Sequence, residues 1–111
     1  MIIKDGLVVF ARSACPTCTL LEPVMRDLAQ GGGAFRVVSQ DDPKFPAGVA
    51  TVVDDRELDH SWLNGVEITP TLIRYEGGRE VERVEGWDRA AWRRLTGVAE
   101  LGEGLPAFKP G

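Results

Sequence analysis

The chain has 111 residues, of which 43% are hydrophobic and 27% charged, a composition typical of one folded domain. Its formal net charge is −4 and its basic residues form no stripe, which argues against nucleic acid as a partner. No apolar run is long enough to span a membrane, and residues 1–5 do not resemble the start of a signal peptide. We therefore expect a cytoplasmic protein, or a periplasmic one if a leader was removed.

The first predicted strand leads directly towards a pair of cysteines. Residues 6–10 form a short, continuous apolar run, which is typical of a fully buried strand. A helical pattern follows, because apolar residues recur at helical spacing between positions 20 and 28. Cys15 and Cys18 form a C-x-x-C motif where the strand turns into the helix. The motif therefore lies at the start of an amphipathic helix.

This position favours thiol–disulfide chemistry. The unpaired N–H groups and the dipole at the start of a helix stabilise a thiolate at Cys15. Pro16 is compatible with the first helical turn, where its missing N–H has no partner in any case. Cys18 lies one turn further on, within reach of Cys15 for a disulfide. A stabilised thiolate beside a resolving thiol is the arrangement that disulfide exchange requires.

Two other interpretations of the motif are weaker. A C-x-x-C can supply half of a zinc site, but the site needs two further ligands and the chain offers only His60 and carboxylates. A purely structural disulfide across so short a loop constrains little of the unfolded chain. The sequence therefore predicts redox cysteines and no metal site.

The middle of the chain alternates strand and helix signals. Residues 31–33 are three glycines that end the first helix, and residues 35–39 form the next predicted strand. Residues 40–51 are predicted as loop, followed by a brief extended piece at Val52 and Val53. Asp54 and Asp55 offer an N-cap for a second helix over residues 56–63.

The last predicted elements are a hairpin and a helix. Strands over 71–75 and 80–84 are joined by a glycine turn, and the strict alternation of the second strand predicts one buried face. Asp88 caps a third helix that Gly97 ends. The order βαβαββα predicts an α/β fold with a four-stranded mixed sheet flanked by three helices. We assign residues 1–97 to this domain and residues 98–111 to a Gly- and Pro-rich arm or linker.

The element order and three sequence features resemble the thioredoxin-like superfamily, in its minimal form. The Cys-Pro-Thr-Cys motif follows the first strand, and Pro23 stands where thioredoxins kink the active-site helix. Residues 68–72, Ile-Thr-Pro-Thr-Leu, resemble the cis-proline segment of that family. In the resemblance, the cis bond before Pro70 turns the backbone of Thr69 towards the cysteines, where it can pair with an extended substrate.

The resemblance implies roles for individual residues. Cys15 and Cys18 would be catalytic, and the substrate-binding residues would be Pro16, Thr17, Thr69, Pro70, Gly86 and Trp87. Trp87 either lies near the cysteines and restores apolar surface there, or packs with Trp62 and Trp92 in the core or its rim. Arg12 and His60 are weaker candidates for the site.

This chain also departs from the thioredoxin pattern at two places. Ala14 stands where thioredoxins have an aromatic residue before the first cysteine, and Val9 aligns with their buried acid. The resemblance predicts a thiol–disulfide oxidoreductase that needs no organic cofactor, acts on protein dithiols or disulfides, and draws electrons from a thiol reductant or reductase. The alternative is a thioredoxin-like binding module whose cysteine pair regulates docking or binds a soft metal such as Cu(I).

Overall fold

The computed structural model describes residues 5–111, so the first four residues of the predicted domain lie outside the described residues. The helices are α1 (Pro16–Leu20), α2 (Glu22–Gln30), α3 (Asp59–Leu63) and α4 (Arg89–Thr96). The strands are β1 (Gly6–Ala11), β2 (Phe35–Ser39), β3 (Val52–Asp54), β4 (Thr71–Glu76), β5 (Arg79–Glu85), β6 (Trp87–Asp88) and β7 (Phe108–Lys109).

Strand β1 is the centre of a five-stranded sheet with the order β3-β2-β1-β4-β5. It runs parallel to β2 and antiparallel to β4. Val9 and Ala11 belong to the apolar cluster on one face of the sheet, and Val8 and Phe10 to the cluster on the other. Both faces of β1 are therefore buried, which explains why its sequence is a continuous apolar run.

Helices cover the two faces of the sheet unequally. The cluster around Val9 contains residues of α2 and α4, among them Met25 and Trp92. The opposite cluster is smaller and contains Val66, from the turn after α3, packed with Ile73 and Tyr75 of β4. The larger core therefore lies on the face that α2 and α4 cover.

The predicted α/β fold with a mixed sheet is confirmed, with two differences. The sheet has five strands because the brief extended piece at Val52–Asp54 pairs in parallel with β2. The part of the chain that the structure describes contains four helices because the first is divided at Leu21. Pro23 lies in the first turn of α2, where it has no N–H to continue the hydrogen bonding of α1.

The second predicted helix is shorter than the sequence pattern indicated. Helix α3 begins at Asp59 rather than at residue 56, because Leu58 adopts a left-handed conformation with φ 63°. The buried carboxylate of Asp55 accepts hydrogen bonds from the N–H groups of His60 and Ser61, at 2.9 and 3.0 Å. Asp55 therefore supports the first turn of α3 from across an intervening turn.

The alternation predicted for residues 80–84 fails at Val81. The strand register shifts so that Arg74 lies opposite Glu82 and Tyr75 lies opposite Glu80. Val81 is left without a partner at this bulge and is 55% exposed, whereas Val84 packs against the core.

Residues 98–111 run along the surface of the preceding fold. Leu101 is 3% exposed and belongs to the main core cluster. Strand β7 pairs antiparallel with β6, with Lys109 opposite Trp87. The indole N–H of Trp87 donates to the carbonyl of Pro106 at 2.7 Å. The division of the chain at residue 97 into domain and arm remains a prediction.

Candidate active site

The two cysteines lie at the start of α1, shortly after β1, as the sequence predicted: Cys15 precedes the helix and Cys18 is in its first turn. Cys15 is the N-cap of α1, and its extended backbone (φ −89°, ψ 118°) leaves the chain ready to enter the helix at Pro16. The Cys15 sulfur accepts a hydrogen bond from the backbone N–H of Cys18 at 3.2 Å. Cys15 is partly exposed and Cys18 is 0% exposed, and both are free thiols. Only Cys15 is therefore accessible to a reactant from solvent.

Burial makes Cys18 a weaker acid than an ordinary thiol. Desolvation, followed by the side-chain interaction with Cys15, raises the pKa of Cys18 to about 12. The N–H of Arg12, which donates to the Cys18 sulfur at 3.5 Å, acts in the opposite direction but does not outweigh burial. Cys18 is therefore a protonated thiol near neutral pH.

The turn before Cys15 is held by a carboxylate that sequence reasoning missed. Asp41 accepts hydrogen bonds from the N–H groups of Ser13 and Ala14 at 2.7 and 3.0 Å, and from the Ser13 hydroxyl at 2.9 Å. Burial alone would raise the pKa of Asp41, but these hydrogen bonds outweigh it and lower the pKa. The available signal was topological: parallel strands β1 and β2 end at the same edge, so residues just after them meet.

A groove beside the cysteines completes the site. It has a volume of about 390 Å³ and is lined by Arg12, Ala14, Cys15, Pro16, Glu67, Ile68, Thr69 and Gly111. The Cys15 thiol lies 3.4 Å from the Thr69 carbonyl oxygen, close enough to donate to it. The Thr69–Pro70 peptide bond is cis. The structure thus brings the C-x-x-C motif and the Thr-Pro segment together, 54 residues apart in the chain.

Most of the remaining residues predicted to bind substrate are buried and therefore not accessible to it. Pro16 is exposed and lines the groove, whereas Pro70 is buried and does not line it. Thr17 is 3% exposed, and its hydroxyl donates to the carbonyl of Pro110 at 2.7 Å. Gly86 is buried, because residues 109–111 lie directly against it. A substrate reaches Gly86 only if these residues move.

Trp87 is 0% exposed, so of the two positions considered for it, near the cysteines or in the core, the structure shows the one in the core. Its ring packs edge-on against that of Trp92, with centroids 5.1 Å apart, so both tryptophans are core residues. Trp62, also expected to pack in the core or its rim, is instead 80% exposed on α3. His60 does not line the groove, whereas Arg12 does.

Other candidate features add no chemistry to the site. Within residues 5–111, no three His, Cys, Asp or Glu side chains come together as metal ligands. No helix in the same residues is both long and apolar enough to cross a bilayer. A second cleft, of about 290 Å³, lies at the opposite end of β1 and contains Asp27 and Arg74 but no cysteine.

Comparison with known proteins gives consistent likenesses. No protein-family model matches the chain. Over 99 residues it is 28% identical to a protein named as thioredoxin H10 of Arabidopsis thaliana, covering 86% of this chain and 54% of that protein. The chain thus spans about half the length of this relative.

Solved structures show the same fold. DsbF of MTB superposes with a TM-score of 0.69 at 22% identity, covering 85% of this chain and 79% of that one. A mutant thioredoxin of Halobacterium salinarum superposes with a TM-score of 0.56 at 27% identity, covering 90% and 76%. The sheet order, the C-x-x-C motif at the start of α1, and these likenesses show that the chain has a thioredoxin-like fold.

Proposed function

We propose that this protein is a thiol–disulfide oxidoreductase that exchanges protein disulfides through Cys15 and Cys18. The observation that carries the proposal is the asymmetry of the pair. A partly exposed Cys15 sulfur accepts the N–H of Cys18 at 3.2 Å, while the Cys18 thiol is fully buried behind it. One sulfur is placed to meet a substrate and the other to meet only the first sulfur.

The proposed reaction has two exchanges. The Cys15 thiolate attacks one sulfur of a substrate disulfide, forms a mixed disulfide and releases the other substrate sulfur as a thiolate. The Cys18 thiol then loses its proton and attacks the Cys15 sulfur, which forms the Cys15–Cys18 disulfide and releases the second substrate thiolate. The substrate gains two electrons and the cysteine pair loses two. The second step is slow without help, because the pKa of Cys18 is raised.

The groove supplies the substrate contacts in this proposal. An extended segment beside the substrate cysteine would pair with the backbone of Thr69, as in strand addition. Pro16, which is exposed and lines the groove, would form an apolar surface beside the reacting sulfurs, whereas the buried Pro70 would act only through the backbone of Thr69. The exposed Ile68, 39% accessible, extends this surface beyond the Thr-Pro segment.

The cysteine pair needs a partner to complete a catalytic cycle. A dithiol protein, a reductase or glutathione would return the electrons, and no organic cofactor takes part. The structural relative DsbF was solved in mixed oxidized and reduced forms. We expect this chain to populate both forms as well, and its location in the cytoplasm remains a prediction.

The test is reduction of insulin by dithiothreitol in the presence of the parent, Cys15→Ser and Cys18→Ser proteins. We expect the parent to accelerate precipitation of the insulin chains and both variants to lose this activity. Cys18→Ser should accumulate a mixed disulfide through Cys15, because no thiol remains to resolve it. An inactive parent that still binds partners would favour the binding module, and trapping that needs Cys18 but not Cys15 would reverse the assigned roles.

A further inference from the structure

Residues 110 and 111 occupy one side of the proposed substrate groove. Strand β7 is held next to β6, and the two residues that follow it reach the Thr-Pro segment. The carbonyl of Pro110 accepts the Thr17 hydroxyl at 2.7 Å. Gly111 lines the groove together with Cys15 and Thr69.

The contact at Gly111 is so close that any other residue type in this position would force the surrounding atoms to shift. A Cβ atom added there would overlap the carbonyl oxygen of Thr69 and the side chain of Ile68. Gly86, with φ 76°, lies on the other side, and a Cβ there would be 3.1 Å from the nitrogen of Gly111. The backbone of Gly111 therefore packs directly against the backbones of Gly86 and Thr69.

Hydrogen bonds to residues 101–107 anchor the segment that leads to residues 110 and 111. Side-chain N–H groups of Arg89 and Arg93 donate to the carbonyls of Leu105 and Leu101, at 2.7 and 2.8 Å. The backbone N–H of Arg89 donates to Ala107 at 2.9 Å. Such anchoring brings residues 110 and 111 back to the groove each time they leave it, at a high effective concentration.

We propose that Pro110 and Gly111 determine substrate access by competing with polypeptide substrates for the Thr69 side of the groove. This inference rests on the proposed function. A small disulfide reaches the Cys15 sulfur from the side of Arg12, Ala14 and Pro16, where the groove is open. An extended polypeptide that pairs with Thr69 must first displace residues 110 and 111.

Two variants remove the competitor in different ways. Deletion of residues 110–111 removes the backbone that lies against Thr69, and Gly111→Val forces that backbone away from Thr69 without removing any residue. The matched control is Phe108→Ser, which changes a 61% exposed side chain of β7 without touching the groove. Urea unfolding of all three variants checks that the fold is retained.

The measurement is the second-order rate constant for oxidation of the reduced protein by insulin and by dithiobis(nitrobenzoate). We expect both variants to react with insulin roughly tenfold faster than the parent. This factor corresponds to the free energy of about one hydrogen bond that the substrate no longer has to displace. Their rate constants with the small disulfide should change far less, and Phe108→Ser should match the parent with both. Equal acceleration with both disulfides, or no acceleration with insulin, would overturn the proposal.

Failure of the proposed function gives a different result. In that case the parent reacts with either disulfide no faster than Cys15→Ser does. Labelling of Cys15 then decides the inference, with iodoacetamide compared against a maleimide carried on an extended peptide. If the peptide reagent labels the deletion variant faster than the parent and iodoacetamide labels both equally fast, residues 110 and 111 compete with polypeptides for the groove. If the peptide reagent labels both proteins at the same rate, the inference is rejected.

Discussion

Val9→Asp tests whether the core behind the cysteines controls the second exchange step. Val9 is 0% exposed and shares its cluster with Cys18 and Leu72. It stands where the resemblance to thioredoxins places a buried acid. A carboxylate at this position could accept the Cys18 proton, which valine cannot do.

The expected loss of stability follows from the burial of Val9. The valine side chain contributes about 2 kcal/mol through its removal from water. A buried carboxyl without a full set of partners costs roughly 1–3 kcal/mol more, so we expect Val9→Asp to lose about 3–5 kcal/mol at pH 7. Burial raises the pKa of the introduced carboxyl, so the loss should be smaller at pH 4, where the carboxyl is protonated in the folded state and about half protonated in the unfolded state. Urea unfolding of the reduced protein at both pH values measures this.

The expected gain in rate follows from the ionisation of Cys18. With a pKa of about 12, only about one Cys18 thiol in 10⁵ is ionised at pH 7. General-base assistance typically contributes roughly 10²–10⁴-fold, and we expect at least roughly tenfold here because the carboxyl is itself partly protonated. The assay is stopped-flow release of thionitrobenzoate from its mixed disulfide with Cys15. The parent rate should keep rising with pH well into the alkaline range, whereas the variant rate should level off near neutral pH.

Val8→Asp is the matched control for this experiment. Val8 is the neighbouring residue of β1, 1% exposed, but it faces the opposite cluster, which does not contain Cys18. It should lose similar stability and gain no rate. If Val9→Asp and Val8→Asp resolve the mixed disulfide at the same rate, residue 9 does not act on Cys18 and the reasoning is refuted.

Three further predictions concern the thiols, the turn before them and the arm. Iodoacetamide should modify Cys15 at a far lower pH than Cys18, whose pKa is raised by burial; equal labelling of both at every pH would contradict this. Asp41→Asn should lower the free energy of unfolding by about 1–2 kcal/mol at pH 7. Because the folded pKa of Asp41 lies below its ordinary 3.8, the difference from the parent should be complete above pH 3.8 and vanish as pH falls through the folded value. A constant difference down to pH 2.5 in urea titrations would show that its charge plays no part. Gly102→Ala should destabilise by about 1–3 kcal/mol, since Gly102 has φ 70° and a Cβ would lie 2.5 Å from the Trp87 ring; an unchanged urea midpoint would contradict this packing.

The sequence alone determined the order of the main elements and the position of the reactive pair. The continuous apolar run of β1, the glycines after α2 and the Asp88 cap are local signals, and local signals are readable without the fold. Asp88 does accept the N–H of Ala91 at 3.1 Å, and Gly97 ends α4 with φ 74°. The sequence signal for the short strand β3 was weaker, because its three residues are too few to show a periodic pattern.

Only the tertiary structure decided which residues surround the cysteines. The contacts of Asp41 with Ser13 and Ala14 join positions 28 and 27 residues apart, and the contact of Thr17 with Pro110 joins positions 93 residues apart. Spacing along the chain does not encode such pairs, because they arise from how strands pair and where the arm packs. The same reason explains the burial of Trp87: its surroundings are supplied by Pro106 and Gly102, in a segment without periodicity. The sequence thus determined the chemistry of the cysteine pair, and the packing of distant segments determined which surfaces around it remain open.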